Sequence, residues 1–170
     1  MSSDLVERLL AAIGETERIS RLACGCEQSY EGDGERWRWE YAGLYDDRVD
    51  QPVEFDPADM YIAQGGHVSL RSVEQYPTRS VGPLPNFVIS GTDELRGAVA
   101  AHMTHHDPHA VLRRCAADRK IVGLHQREPA GKGYVDCSAC HSPYEHESEE
   151  WPCDTLKALA EGYGVSVEEP

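Results

Sequence analysis

Three cysteines near the C-terminus carry the clearest chemistry in the chain. Cys137 and Cys140 are two residues apart, and twelve further residues lead to Cys153. A C-x2-C turn brings two thiolates to one point, as a tetrahedral zinc knuckle requires. Cys153 opens a helical pattern, where backbone N–H groups and the helix dipole favour the ligating thiolate. Three thiolates need a fourth donor. His125, eleven residues before the knuckle, is preferred, because it closes a helix on the side of Ile121 and Val122 and can face inward. His141 would have to turn back sharply from Cys140, and His146 sits in an acidic stretch. His102 or His106 could also supply the donor. The expectation is one zinc ion held by Cys137, Cys140, Cys153 and His125. Free thiols or a redox C-x2-C pair are the competing explanations.

A second constellation is His102-x3-His106, followed by Asp107 and flanked by His105 and His109. Imidazoles at i and i+4 share one helix face and can chelate a metal. With Asp107 they suggest a metal-dependent hydrolase or nuclease. The plainer reading is structural: Asp107 caps a helix and Pro108 takes its first position, where the missing N–H would be unbonded anyway. On that reading asparagine would serve nearly as well at position 107. Cys24-x-Cys26 is a weaker knuckle, and Cys115 reads as a small buried apolar residue. No Walker loop, dinucleotide-binding glycine fingerprint, G-x-S-x-G or H-E-x-x-H string occurs, so no catalytic residue is assigned.

The elements that must position these residues follow from periodicity. Residues 3–23 predict a helix, with Leu5, Leu9, Ile13, Ile19 and Leu22 on its apolar face. The run RWRWEYAGLY alternates Trp37, Trp39 and Tyr41 against Arg36, Arg38 and Glu40, a period-two strand. Residues 60–63 and 67–73 flank Gln64-Gly65-Gly66, a hairpin signal. Residues 74–90, with three prolines, read as loop or edge strand. Helices are expected over 92–105, 108–125 and 153–163. The fold class is therefore α+β, with helices packed on a small antiparallel sheet and a C-terminal element resembling a zinc ribbon or treble clef. The expected division is a core over 1–126, a zinc-binding closing element over 127–164 and a tail over 165–170.

Composition narrows the partners. The chain has 170 residues, 40% hydrophobic, and a net charge of −14. Residues 27–59 hold eleven acids against three arginines, more than half of that charge. Such a balance argues against duplex nucleic acid, which asks for a basic stripe. It also argues against an anionic membrane surface, and no run reaches the roughly 20 apolar residues of a membrane span. The opening Met-Ser-Ser-Asp lacks the basic start of a secretion signal. The expected location is the cytoplasm, where cysteines are metal ligands or free thiols before they are disulfides.

The string HMTHHDPHAVLRRCAADRKIVGLH, the C-x2-C and WPCDTLKALAEGY together resemble a family of small proteins of unknown function from actinobacteria and their phages. The resemblance covers the opening helix and about 101–163. It implies a shared fold and a shared Cys137, Cys140 and Cys153 set, and brings no activity. Three roles stand from the sequence. The chain is a zinc-stabilised protein that works through an unknown protein partner, in a phage or host accessory role. Alternatively it is a hydrolase built on His102, His106 and Asp107, or an acidic nucleic-acid mimic built on residues 27–59.

Overall fold

The computed structural model describes residues 3–24, 34–46, 51–54, 68–76, 84–92, 97–129, 135–140 and 151–167. Among the described residues, four helices and two antiparallel sheets make an α+β protein. In chain order the elements are α1 (Ser3–Ala23), β1 (Trp37–Asp46), β2 (Gln51–Glu54), β3 (Val68–Tyr76), β4 (Leu84–Thr92), α2 (Gly97–His105), α3 (Pro108–Leu124), β5 (Arg127–Pro129), β6 (Val135–Cys137) and α4 (Asp154–Gly162). They belong to two compact units. One joins Met1–Arg18 to Arg113–Pro170, and the other is Ile19–Leu112.

The larger sheet has the order β2-β1-β3-β4 and is antiparallel throughout. The alternation read in β1 sets its two faces. Trp37, Trp39 and Tyr41 stand opposite Ser72, Leu70 and Val68, while Arg38 and Glu40 stand opposite Arg71 and Ser69. On the first face Trp39, Val68, Leu70 and Ala100 form a buried cluster, joined by Trp37, Ile89 and Met103. The Trp39 indole donates to the Ala100 carbonyl at 3.1 Å, so the ring's one polar atom is satisfied inside the core. The second face is polar yet also covered. Glu40 is 1% exposed, with Arg38 at 2.8 Å and Arg71 at 3.3 Å neutralising its carboxylate. An unpaired buried charge would be prohibitive there.

The segment read as loop or edge forms an edge strand, β4, with Pro85 inside it. An edge position lets proline omit a ladder hydrogen bond. The expected hairpin around Gly65 lies mostly outside the described residues; its second arm is the start of β3, which pairs with β1 and β4. In α1 the buried stripe runs Leu5, Leu9, Ile13, Ser20 and Cys24. Ile19 and Leu22 are 54% and 46% exposed, contrary to the expected face. At about 100° per residue, Leu22 falls roughly 160° from the centre of that stripe.

Asp107 caps α3 as expected: its Oδ1 accepts from the Ala110 N–H at 2.8 Å, and its carbonyl accepts from Val111. Its other oxygen, Oδ2, accepts from the Trp37 N–H at 3.3 Å. The His109 N–H donates to the Glu35 carbonyl at 2.9 Å. One carboxylate thus ties the start of β1 to the start of α3. Asparagine cannot replace it at little cost, since its amide has one acceptor oxygen for two N–H groups.

Candidate metal centre

The centre grows from the end of α3. The His125 N–H still donates to the Ile121 carbonyl at 3.1 Å, so the last turn fixes the imidazole's direction. After Gln126 the chain enters the β5–β6 hairpin, in which Arg127 pairs with Cys137, Glu128 with Asp136 and Pro129 with Val135. The hairpin carries Cys137 back beside His125. A tight turn follows, with the Cys140 N–H donating to the Cys137 carbonyl at 3.2 Å. Cys153 is the N-cap of α4, in extended backbone, with its carbonyl accepting the first helical bond from Lys157 at 3.1 Å.

These three elements converge on one point. His125 Nδ1 lies 3.3 Å from the Cys137 sulfur, 3.5 Å from that of Cys140 and 3.3 Å from that of Cys153. All four donor atoms lie within 4.8 Å of one another, and the group can hold a metal ion. Three soft thiolates and one imidazole suit a tetrahedral ion, and four protein donors leave such an ion no open position.

Two residues that the sequence did not single out hold the arrangement. Ser138 lies between the knuckle cysteines. Its hydroxyl donates to the Leu124 carbonyl at 2.9 Å and accepts from the Gln126 N–H at 2.8 Å, while its own N–H donates to the Gln126 carbonyl at 2.9 Å. The open end of α3 is thereby capped by the knuckle. Trp151 is buried. Its backbone N–H donates to Val135 at 3.0 Å, its indole N–H reaches the His125 carbonyl at 3.4 Å, and the Arg127 guanidinium lies 6.0 Å from its ring centroid. A serine inside the C-x2-C and a Trp-Pro-Cys string are the sequence signals for these roles.

Behind the centre, α4 buries Leu156 and Ala160 and ends in a Schellman motif. The Val165 N–H returns to Ala160 at 2.8 Å and the Gly164 N–H to Glu161 at 2.9 Å, with Gly164 at φ 69°. A side chain at 164 would carry the cost of the left-handed region. Next to this cap the Tyr163 hydroxyl donates to Asp118 at 2.6 Å and lies 3.7 Å from the Cys115 sulfur. Burial first, and the Asp118 bond second, push the Tyr163 phenol above its ordinary value.

The other candidates fall elsewhere. His102 and His106 have ring centroids 4.4 Å apart, and His105 stands edge-on to His106 at 5.1 Å. Among the described residues they join no metal-holding group of three or more, and Asp107 has both oxygens engaged in hydrogen bonds. Cys24 is disulfide-bonded and so has no thiolate to offer. Cys26, His141 and His146 lie outside the described residues. Cys115 is a buried free thiol. No described helix is long and apolar enough to cross a membrane.

The fold and the centre define an α+β protein with a histidine-and-three-cysteine group able to hold a metal. The chain belongs to a family of unknown function (DUF6221), whose model matches residues 2–164. Neither a curated protein nor a solved structure matches the chain.

Proposed function

We propose that this is a zinc-stabilised cytoplasmic protein that acts by binding another protein, with Cys137, Cys140, Cys153 and His125 as the four ligands of one structural zinc. The observation that carries the reading is the spacing of the donors. Zinc bonds of about 2.3 Å to sulfur and about 2.05 Å to nitrogen, at tetrahedral angles, put sulfur and nitrogen about 3.6 Å apart. The three separations here are 3.3, 3.5 and 3.3 Å. A closed ligand set supports a structural ion over a catalytic one. Binding supplies what the chain lacks as an enzyme: no catalytic motif, a charge of −14, and apolar side chains such as Ile19, Leu22 and Leu124 left exposed. Among the described residues Cys115, Cys137, Cys140 and Cys153 form no disulfide, which fits a reducing compartment, although the Cys24 disulfide would have to persist there.

The hydrolase reading has less support, because Asp107 would have to give up two hydrogen bonds to reach a metal. For the acidic mimic, most carboxylates of 27–59 lie outside the described residues. Elemental analysis of protein purified without added metal tests the centre: one zinc per chain is expected. Zinc near zero, with Cys137, Cys140 and Cys153 all titrating freely in the native state, would sink it. Affinity capture with the zinc-loaded chain as bait tests the role. A protein retained by the loaded chain and lost on chelation is the expected result, and metal-dependent turnover of phosphoesters, abolished in Asp107→Asn, is the contrary one.

A further inference from the structure

The three sulfurs of the centre differ in accessibility. Cys137 and Cys153 are 0% and 1% exposed, whereas Cys140 is only half-buried. Cys137 is fixed in the β6 ladder and Cys153 at the start of α4, while Cys140 closes the tight turn after β6. The Cys140-to-Cys137 hydrogen bond marks a tight turn, which holds the two Cα atoms within about 7 Å. That is the span a disulfide bridges with little backbone movement. Their sulfurs already lie within 4.8 Å of each other.

The geometry points to Cys140 as a modification site: the sulfur of the zinc-loaded centre that reacts with hydrogen peroxide and soft electrophiles, with Cys137 as its resolving partner. The inference rests on the metal-centre reading above. In the first step the Cys140 thiolate attacks a peroxide oxygen. An S–O bond forms, the O–O bond breaks, and hydroxide leaves and takes a proton from solvent. In the second step the Cys137 thiolate attacks the resulting sulfenic sulfur. An S–S bond forms, the S–O bond breaks, and a second hydroxide leaves and is protonated. Two sulfurs have together given two electrons to one peroxide, which ends as two waters. Only Cys153 and His125 then remain as donors, too few to retain the ion, so oxidation empties the centre. A dithiol reductant with added zinc reverses the change.

Burial sets the order of attack, because a reagent must touch the sulfur it modifies. Cys153 is shielded at the start of α4. Cys115 serves as an internal reference, being 1% exposed and outside the centre.

The test uses the zinc-loaded full chain. Zinc release is followed with a colorimetric chelator during exposure to hydrogen peroxide, and in parallel with N-ethylmaleimide below one equivalent. Label positions are read by fragment-resolved mass spectrometry. Cys140 should label on the order of tenfold faster than Cys153, as the contrast in exposure implies. Peroxide should give a Cys137–Cys140 disulfide in step with zinc release, with Cys115 unmodified. Cys140→His offers a replacement ligand and removes the reactive sulfur. If that variant carries zinc, its peroxide-driven release should be on the order of tenfold slower than that of the wild type. If it does not, the wild-type label order decides. First labelling at Cys153 or Cys137, zinc retained through complete peroxide treatment, or unchanged release in a zinc-loaded Cys140→His overturns the inference alone. Absence of zinc from the untreated protein overturns the centre as well.

Discussion

The four-stranded sheet and the β5–β6–α4 element are held together by different forces. The sheet has strands of up to ten residues and a buried cluster of Trp39, Val68, Leu70 and Ala100, with Glu40 and Asp107 satisfying the polar groups beneath and beside it. Burial of that kind needs no cofactor. The second region has two strands of three residues each and a nine-residue helix. A lone two-stranded hairpin is marginal in water, and so is a helix shorter than about 12 residues. Among its described residues the buried apolar side chains apart from the cysteines are Trp151, Leu156 and Ala160. Four donors from three elements meeting at one point supply the missing constraint once an ion binds, because the unfolded chain binds that ion weakly. On the proposed zinc reading, one sequence would stabilise one region by side-chain volume and another by coordination.

The sharpest way to break the comparison is to remove the ion. Chelation, or Cys153→Ser, should melt the β5–β6–α4 region and cost several kcal/mol, given that structural zinc supplies on the order of 10 kcal/mol of apparent binding free energy in small modules. Amide exchange should accelerate in 125–165, while the amides of β1 and β3 keep their protection. The converse perturbation is Trp39→Ala, which should cost about 3–5 kcal/mol of stability through the cavity it opens. Zinc content per chain should stay unchanged in the folded fraction. Loss of zinc in that variant would mean that the two regions do not draw on separate sources.

Asp107 sharpens the picture of the sheet. Asp107→Ala should cost about 2 kcal/mol and Asp107→Asn about 1 kcal/mol, since the second retains one of two accepted hydrogen bonds. Equal melting temperatures for wild type and Asp107→Asn would show that the Trp37 bond contributes nothing. The smallest effect belongs to Tyr163. Its folded-state pKa lies above the ordinary value of 10.0, so the unfolded chain loses this proton first as pH rises. Stability should therefore be fully present below pH 10 and fall above it. Tyr163→Phe should flatten that part of the profile and cost about 1 kcal/mol at neutral pH. Melting curves between pH 8 and 11 decide it.

The thiolate set was legible in the sequence because it is local: two residues between Cys137 and Cys140 dictate a turn, and a helix pattern dictates where Cys153 sits. His125 was legible through helical phase. Ser138 and Trp151 were not, because each acts through hydrogen bonds to carbonyls that only the folded chain brings near. The cap at Asp107 could be read from Asp-Pro, but its second bond depends on the start of β1, seventy positions away. The short strands β5 and β6 carry too few residues for alternation to show. Ile19 and Leu22 follow the apolar residues of α1 at only approximately helical spacing, and their angular offset takes them off the buried stripe. The buried Glu40 escaped notice because polar alternation in a strand says which residues share a face and nothing about what covers it.

Ser138 has a consequence for the way the molecule opens. One hydroxyl serves the last carbonyl of α3 and the Gln126 amide two residues on, so fraying at that helix end and departure of the knuckle should be a single event. The amides of Gln126 and Ser138 should then exchange with solvent at one common opening rate, however different their burial. A helix end in most proteins flickers on its own, far faster than the domain around it. Here the end of α3 should instead keep the time of the knuckle to which Ser138 ties it.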